Sequence, residues 1–246
     1  MARTIAWVSA GAASAISGRM ILRENPNAVM AYCETGGEHE DNERFLSDLT
    51  RWFNAPIERL KSEKYADTWD VWQRTRWLAG PEGARCTTEL KVVPRLLFQR
   101  PTDVHVFGYT ADSSDVKRAD LLAANYPELT LRFPLIEAGI TKAACLALLE
   151  TVGIAAPVLY ALGFQNNNCI GCVKATSPDY WSLVRLHFLA IFQRMAKLSR
   201  ELDVRLCRIH GERCFIDEIP PDWPTTNPIA PACDFLCHLV EMDFAS

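Results

Sequence analysis

The first two thirds of the chain alternate short apolar runs with segments whose apolar positions recur at helical spacing. The apolar runs predict strands, at 5–8, 28–32, 56–60, 104–108 and 130–133. Helical spacing predicts the intervening segments as helices, at 14–23, 41–53, 68–78, 87–99, 115–125 and 141–152. This alternation is typical of a parallel sheet covered by helices. We therefore predict an α/β fold with a doubly wound, mostly parallel sheet.

The pattern changes beyond the first two thirds. Residues 178–202 predict one long amphipathic helix or two shorter ones, and residues 206–217 predict a hairpin. The prolines between 220 and 231 predict an extended segment. We therefore divide the chain into a first domain at 1–175 and a helical, cysteine-containing C-terminal extension at 176–246.

Composition is that of an ordinary globular protein and excludes several classes. Hydrophobic residues make up 49% and charged residues 23% of the chain, which allows a sizeable core. The net charge of −4 provides no overall basic field for nucleic acid, and a locally basic helix face at 185–200 has solvation as its simpler interpretation. Apolar runs such as 143–149 are too short to cross a bilayer, and we find no secretory signal. We expect a cytoplasmic protein with no membrane partner, and leave a homo-oligomer open.

Nine cysteines are many for such a protein, and one pair has a spacing with chemical meaning. Cys169 and Cys172 form a C-x-x-C motif, which can chelate a metal or close a redox disulfide. Cys86, Cys233 and Cys237 are the cysteines that could join them. Free thiols are often buried, so the others are interpreted as packed side chains: Cys33, Cys145, Cys207 and Cys214.

The loop after the first predicted strand has the residue types of a phosphate site. It reads Ser9-Ala10-Gly11-Ala12-Ala13-Ser14. In a doubly wound sheet this loop lies at the carboxyl edge of the strands, where ligands bind. Small residues let backbone N–H groups approach a phosphate, and the following helix N-terminus favours negative charge. Ser9 and Ser14 add hydroxyl donors.

Other polar residues lie near the later strands. Four of them gather after the second strand: Glu34, Glu38, His39 and Asp41. They could bind Mg²⁺ or contact ribose, and loop solvation is the alternative. Lys117 and Arg118 could clamp an anion near the strand at 104–108. Lys91 lies about one helical turn beyond Cys86, where it could meet a phosphate or sulfate or be an ordinary solvated lysine.

These features occur in the order found in a known family. The loop 9–14 resembles the S-G-G-x-D-S loop of the ATP-pyrophosphatase (PP-loop) superfamily, with Ala10 and Ala13 in place of Gly and Asp. Four later segments resemble motifs of its phosphoadenosine-phosphosulfate (PAPS) reductase-like branch: Cys33-Glu34-Thr35-Gly36 (D-T-G), Cys86 to Pro94 (C-C-x-x-x-K-V-x-P), Gly108 to Arg118 (G-x-R-x-x-x-S-x-x-R) and Leu159 to Cys172 (L-Y-x-x-G-Y, then C-x-x-C). The chain is most similar to short members found in phage and mobile-element genomes.

The resemblance implies an adenine nucleotide alpha hydrolase-like fold and roles for particular residues. An adenine nucleotide would be held at the strand-end motifs, by Ser9, Ala10, Gly11, Ser14, Glu34, Thr35, Gly36, Gly108 and Arg118. In cluster-bearing members, a C-C pair and a C-x-x-C supply four thiolates to an iron–sulfur cluster. Thr87 replaces one of them here, which leaves Cys86, Cys169 and Cys172. The fourth ligand would be Cys233 or Cys237, or one iron would stay open to hold sulfide. The expected cofactor is a [4Fe–4S] cluster, with zinc as the alternative.

Three functions are compatible with this reading. In the first, ATP adenylates an acceptor such as a nucleic-acid base or backbone. Sulfur held by the cluster, by a thiol or by a sulfur donor protein then displaces AMP. In the second, the protein reduces an adenylyl sulfate to release sulfite, with Cys233 as nucleophile and Lys91 near the anion. Thr110 in place of an arginine weighs against this function. In the third, the chain only binds nucleotide, and zinc is structural.

Overall fold

The computed structural model describes residues 2–80 and 83–228, which fall into two compact units. Unit 1 consists of residues 2–34, 40–61 and 93–157. Unit 2 consists of the described residues among 35–39, 62–92 and 158–228. The domain boundary predicted after residue 175 lies inside unit 2. Cys233 and Cys237 lie outside the described residues.

The elements follow one another along the described residues in a regular order. The strands are β1 (Thr4–Trp7), β2 (Val29–Cys33), β3 (Ile57–Leu60), β4 (Val104–Phe107), β5 (Thr130–Arg132), β6 (Cys207–Ile209) and β7 (Glu212–Cys214). The α-helices are α1 (Ala12–Glu24), α2 (Asp41–Phe53), α3 (Thr68–Thr75), α4 (Arg85–Thr87), α5 (Val93–Phe98), α6 (Ser113–Asn125), α7 (Pro134–Glu137), α8 (Lys142–Thr151), α9 (Val158–Ala161), α10 (Pro178–His187) and α11 (Leu189–Glu201). A π-helical segment covers Thr88–Val92, and a 3-10 turn covers Ile216–Glu218.

The described strands of unit 1 form a five-stranded parallel sheet in the order β3-β2-β1-β4-β5. β1 is central, with Ile5 opposite Val29 on one side and opposite His105 on the other. Ile5 is fully buried, as expected for a parallel strand covered by helices. Helix α1 packs against both the sheet and α8. The predicted doubly wound α/β fold is confirmed.

The predicted elements differ from the observed ones mainly at their ends. α2 has the predicted bounds, and Thr141 caps α8 by accepting the Ala144 N–H at 3.3 Å. α3 ends at Thr75 instead of residue 78, because Arg76 takes a left-handed conformation (φ 54°). Residues 178–202 form two helices that meet at Phe188.

The predicted helix at 87–99 is interrupted where its proline interferes with regular helical hydrogen bonding. The π-helical turn Thr88–Val92 ends just before Pro94, which has no N–H and crowds the carbonyl four residues earlier. The short helices α7 and α9 escaped prediction, because four residues are too few to show a period.

Unit 2 has its own apolar core and a small hairpin. Trp72, Tyr180 and Trp181 are among its largest fully buried side chains. β6 and β7 pair antiparallel through His210 and Gly211, whose φ angles of 50° and 88° suit a type I′ turn. Across the described ranges, we find no helix with the length and hydropathy needed for a bilayer crossing.

Candidate functional site

The carboxyl ends of β1 and β4 form the point where strand order reverses. Along the chain, β1 to β3 extend the sheet in one direction, and β4 and β5 extend it in the other. In open α/β sheets, ligands bind in the crevice at such a switch point. Ser9 and Gly108 come just after these two strands. Fold topology therefore brings two of the predicted nucleotide motifs together.

The loop between β1 and α1 is held in one conformation by its own hydrogen bonds. Ala10 is fully buried in a left-handed conformation (φ 55°), and Gly11 at the N-cap is extended. The Ser14 hydroxyl lies 3.0 Å from the Ser9 N–H, which donates to it, and 3.0 Å from the Gly11 carbonyl, to which it donates. The Ser9 hydroxyl donates to Ser14 at 3.1 Å. Ser14 thus fixes the loop, and the hydroxyls of both serines are engaged within it.

Gly108 lets β4 approach the start of α1. A Cβ at this position would lie 2.6 Å from Cα and 2.7 Å from the nitrogen of Ser14. These are backbone atoms that cannot move aside without shifting the helix. A glycine is therefore required for this contact between β4 and α1 at the switch point.

An acidic cluster follows Gly108. The Thr110 hydroxyl lies 3.0 Å from an Asp112 carboxylate oxygen and 2.8 Å from one of Asp115. Arg118, a predicted anion ligand, donates to Asp115 at 2.6 Å and lies over the Tyr109 ring. The structure places Arg118 in an ion pair with Asp115, and its assignment as a nucleotide ligand stays a prediction.

Glu34 is similarly engaged after β2. Its carboxylate accepts from Arg59 at 2.9 Å and pairs with Lys61. Arg59 also pairs with Glu43, and its pKa is raised mainly by that hydrogen bond. Glu34 is thus part of a charged network between β2 and β3. A role for it in binding Mg²⁺ or ribose stays a prediction.

Thr35 connects the D-T-G-like motif to the C-x-x-C motif within unit 2. Its hydroxyl is 2.6 Å from a Glu38 oxygen and 2.9 Å from the Cys169 sulfur. The Glu38 oxygen also accepts the Thr35 N–H, at 3.0 Å. When the Thr35 hydroxyl donates to Glu38, its oxygen can accept the Cys169 S–H. This chain of hydrogen bonds gives the Cys169 proton a path to a carboxylate.

Two glycines allow these segments to meet. Gly36 has φ 66°, and a Cβ there would lie 2.6 Å from Cβ of Asp67, the N-cap of α3. A Cβ on Gly37 would lie 3.1 Å from the Cβ of Cys169. The Gly37 carbonyl accepts the Ile170 N–H at 2.8 Å. The 35–39 segment is therefore fitted to the cysteine turn.

The C-x-x-C segment is a tight turn clamped by Tyr180. The Tyr180 hydroxyl accepts the Cys172 N–H at 2.9 Å and donates to the Cys169 carbonyl at 3.4 Å. Gly171 has φ 71°, which lets the turn close. Burial raises the pKa of Tyr180 well above its usual value. The sequence analysis did not identify this tyrosine. Its position, eight residues after Cys172, was the one signal in the sequence that could have indicated it.

The third predicted ligand lies on a neighbouring helix. Cys86 is half-buried in α4, which packs against α3. On α3, the Thr68 hydroxyl and the Trp72 indole N–H are buried with no described hydrogen-bond partner. Such groups are unusual and can serve as donors to a bound group.

The described cysteines do not themselves complete a metal site. Within residues 2–80 and 83–228, no three or more His, Cys, Asp or Glu side chains are grouped so that they could hold a metal ion. The arrangement of Cys86, Cys169 and Cys172 therefore does not by itself fit a cluster. The fourth position of the predicted cluster would be filled by Cys233 or Cys237, which lie outside the described range, or would stay open to hold sulfide. Lys91 lies in the π-helical segment. Its proposed contact with a phosphate or sulfate stays a prediction.

We expect metal content to depend on the three predicted ligands. If the protein binds the predicted cluster, then after anaerobic purification Cys86→Ser, Cys169→Ser and Cys172→Ser should each lose most of the iron and sulfide, because a thiolate is removed. Cys145→Ser changes a buried cysteine of unit 1 and should keep them. Metal analysis of the four variants is the measurement. Zinc without sulfide would favour the zinc alternative, and equal metal content in all four would contradict the ligand set.

Comparisons with known proteins bear on the fold. No protein-family model matches this chain, and no curated protein matches it. Among solved structures, it is similar to the phosphoadenylyl-sulfate (PAPS) reductase from Candida auris in its phosphate complex. The TM-score is 0.50 at 11% identity, over 69% of this chain and 82% of that one. At this identity the similarity shows the fold alone. The described chain therefore has a PAPS reductase-like α/β fold.

Proposed function

We propose that this protein is a PP-loop enzyme that uses ATP or another adenylyl nucleotide to activate an acceptor for sulfur transfer. The observation that carries this proposal is the close backbone approach at the switch point, where Gly108 abuts the first turn of α1 beside the loop at 9–14. A nucleotide phosphate there would meet the N-terminus of α1, where backbone amides and the helix dipole favour negative charge.

The proposed reaction has two steps that balance. In the first, an acceptor oxygen attacks the α-phosphorus of ATP, and pyrophosphate leaves with Mg²⁺ as counter-ion. In the second, hydrosulfide delivered by a sulfur donor attacks the acceptor atom bonded to that oxygen, and AMP leaves with the oxygen, so the acceptor gains one sulfur in place of one oxygen. Adenylation converts a poor oxygen leaving group into a good one.

Cys169 is the described residue best arranged to handle sulfur. Its thiol contacts Thr35, and Thr35 in turn contacts Glu38. A nucleophile whose proton can pass to a positioned base is the general pattern of thiol catalysis. Because the described donors do not form a metal site, we assign no step to a cluster. If an iron–sulfur cluster or zinc is present, Cys86, Cys169 and Cys172 would be its ligands.

Reduction of an adenylyl sulfate is the second candidate, favoured by the solved structure with the similar fold. The residues just after the carboxyl end of β4 argue against this reductase function. Thr110 is buried and bonded to acidic side chains where the reductase branch has an arginine. The carboxylates of Asp112 and Asp115 would repel an anionic group of an adenylyl sulfate at this position.

We expect Gly11→Asp to weaken ATP binding at least tenfold, because it places a carboxylate where phosphate would bind. Gly11→Asn is the matched control, with the same shape and no charge. Both residues are good N-caps, and the extended backbone of Gly11 (φ −106°, ψ 159°) accepts either. Fluorescent ATP-analogue titration with Mg²⁺ measures binding, and thermal unfolding verifies that both variants fold. Equal binding by the two variants would contradict the assigned site.

The product that is released during turnover distinguishes the proposed functions. Acceptor-dependent pyrophosphate release from ATP supports the adenylation step. Sulfite release from an adenylyl sulfate supports the reductase instead and refutes sulfur transfer as the leading function. Nucleotide binding without either product would identify a non-enzymatic binding module.

A further inference from the structure

The β6–β7 hairpin of unit 2 places two arginines side by side. Arg208 is directly opposite Arg213, and both side chains are exposed. The neighbouring pair, Cys207 and Cys214, is more buried. The Arg208 N–H donates to the Thr176 carbonyl at 2.9 Å, not to β7. Arg208 and Arg213 are therefore a non-hydrogen-bonded pair, the kind in which facing side chains are closest.

These charges lack the neutralisation found at other arginines of unit 2. Arg200 pairs with Asp217 and Glu218. Among the described residues, no carboxylate lies within ion-pair distance of Arg208 or Arg213, and Arg213 donates instead to the Arg205 carbonyl at 3.1 Å. Like charges directly opposite on a hairpin are destabilising. An anion bound between them would remove that repulsion.

Aromatic rings lie at the turn end of the same hairpin. His210 is in the turn, and its ring lies 6.4 Å from that of Trp223. His210 is exposed, whereas Trp223 is half-buried and its indole N–H donates to Asp179 at 2.8 Å. The His210 ring is therefore the one on which an unpaired base can stack while phosphates pair with the guanidinium groups. An acidic peptide would use the arginines but not this ring.

We propose that this arginine hairpin, formed by Arg208, Arg213 and His210, binds the backbone of single-stranded nucleic acid. The proposal deepens the proposed function, and rests on it, in naming nucleic acid as the acceptor. Binding itself requires only the hairpin. It therefore occurs without ATP and depends strongly on salt, even though the whole chain is acidic.

The test is fluorescence anisotropy with labelled poly(U), poly(dT) and a mixed-sequence duplex, each of about 20 nucleotides, which exceeds the usual site size. Loss of two phosphate contacts in Arg208→Ala/Arg213→Ala should lower the salt slope for single strands by about 1.4, or about 25-fold in affinity at about 0.1 M salt. Arg23→Ala/Arg100→Ala removes the same charge from exposed positions of unit 1 and should bind like wild type.

Charge reversal separates binding from folding. In Arg213→Glu, an opposite-charge pair replaces the repulsive one, so the thermal midpoint should stay equal or rise while binding is lost. A lower midpoint together with lost binding would show a structural role and overturn the proposal. So would unchanged binding, or binding of polyglutamate or duplex as tight as that of single strands. Tighter binding of poly(U) than of poly(dT) would identify RNA as the ligand, and tighter binding of poly(dT) would identify DNA.

One variant distinguishes this proposal from the nucleotide site. Gly11→Asp should bind single strands like wild type while losing ATP. If it does so but wild type releases no pyrophosphate, the proposed function fails and the hairpin proposal stands. If single-strand binding is absent but pyrophosphate is released, the hairpin proposal alone fails.

Discussion

Gly108→Ala is expected to lower the free energy of unfolding by about 3 kcal/mol, the upper end of the usual range for overpacking. The new methyl group would lie 2.6 Å and 2.7 Å from backbone atoms of Ser14, so α1 would have to move away from β4. That movement would open the proposed phosphate crevice. We expect nucleotide binding to be lost at temperatures where the variant is still folded. Denaturant unfolding and ATP-analogue titration are the measurements.

Gly139→Ala is the matched control for this effect. Gly139 has φ 68°, but nothing lies within 4 Å of the position its Cβ would take. Alanine there should cost only the left-handed backbone strain of about 1–2 kcal/mol and should leave nucleotide binding intact. If Gly108→Ala were as stable as wild type and bound nucleotide normally, the close approach of β4 and α1 would be wrong.

Acidification is expected to destabilise unit 1 through His105 on β4. This imidazole is fully buried, and its Nδ1 accepts the Trp7 indole N–H at 3.2 Å. Burial, reinforced by the Arg95 charge, lowers the His105 pKa from 6.5 to about 4. Between these values the unfolded chain binds a proton that the folded chain does not. Stability should therefore fall by about 3 kcal/mol as pH drops from 6.5 to 4.

His105→Gln tests this prediction, because glutamine can accept the Trp7 N–H but does not titrate. Denaturant unfolding at several pH values should show a shallower loss of stability in this variant below pH 6.5. His187→Gln removes an exposed histidine and should keep the wild-type slope. Other buried groups contribute to both slopes, so the difference between variants is the quantity to compare. Identical slopes would show that His105 binds its proton over the same pH range in the folded and the unfolded protein, which would contradict the lowered pKa.

Sequence alone determined the elements whose signals are local. The helix α2 was predicted with its observed bounds, because its apolar residues repeat at helical spacing. The ends of the strands of unit 1 were predicted to within two residues, because each strand is a short apolar run. The small-residue loop at 9–14 and the C-x-x-C turn could also be recognised, because each is specified by neighbouring residues.

Tertiary structure decided which of these local features meet. Strand order places Gly108 against Ser14, although more than 90 residues separate them, as their numbers show. The link from Thr35 to Cys169 and the register that faces Arg208 with Arg213 also depend on how distant segments pair. The engagement of Arg118 by Asp115 could not be inferred from residue type, because a short helix spacing allows a pair without requiring it. Local spacing sets periodicity and backbone conformation, whereas contacts between distant residues depend on packing that no single segment encodes.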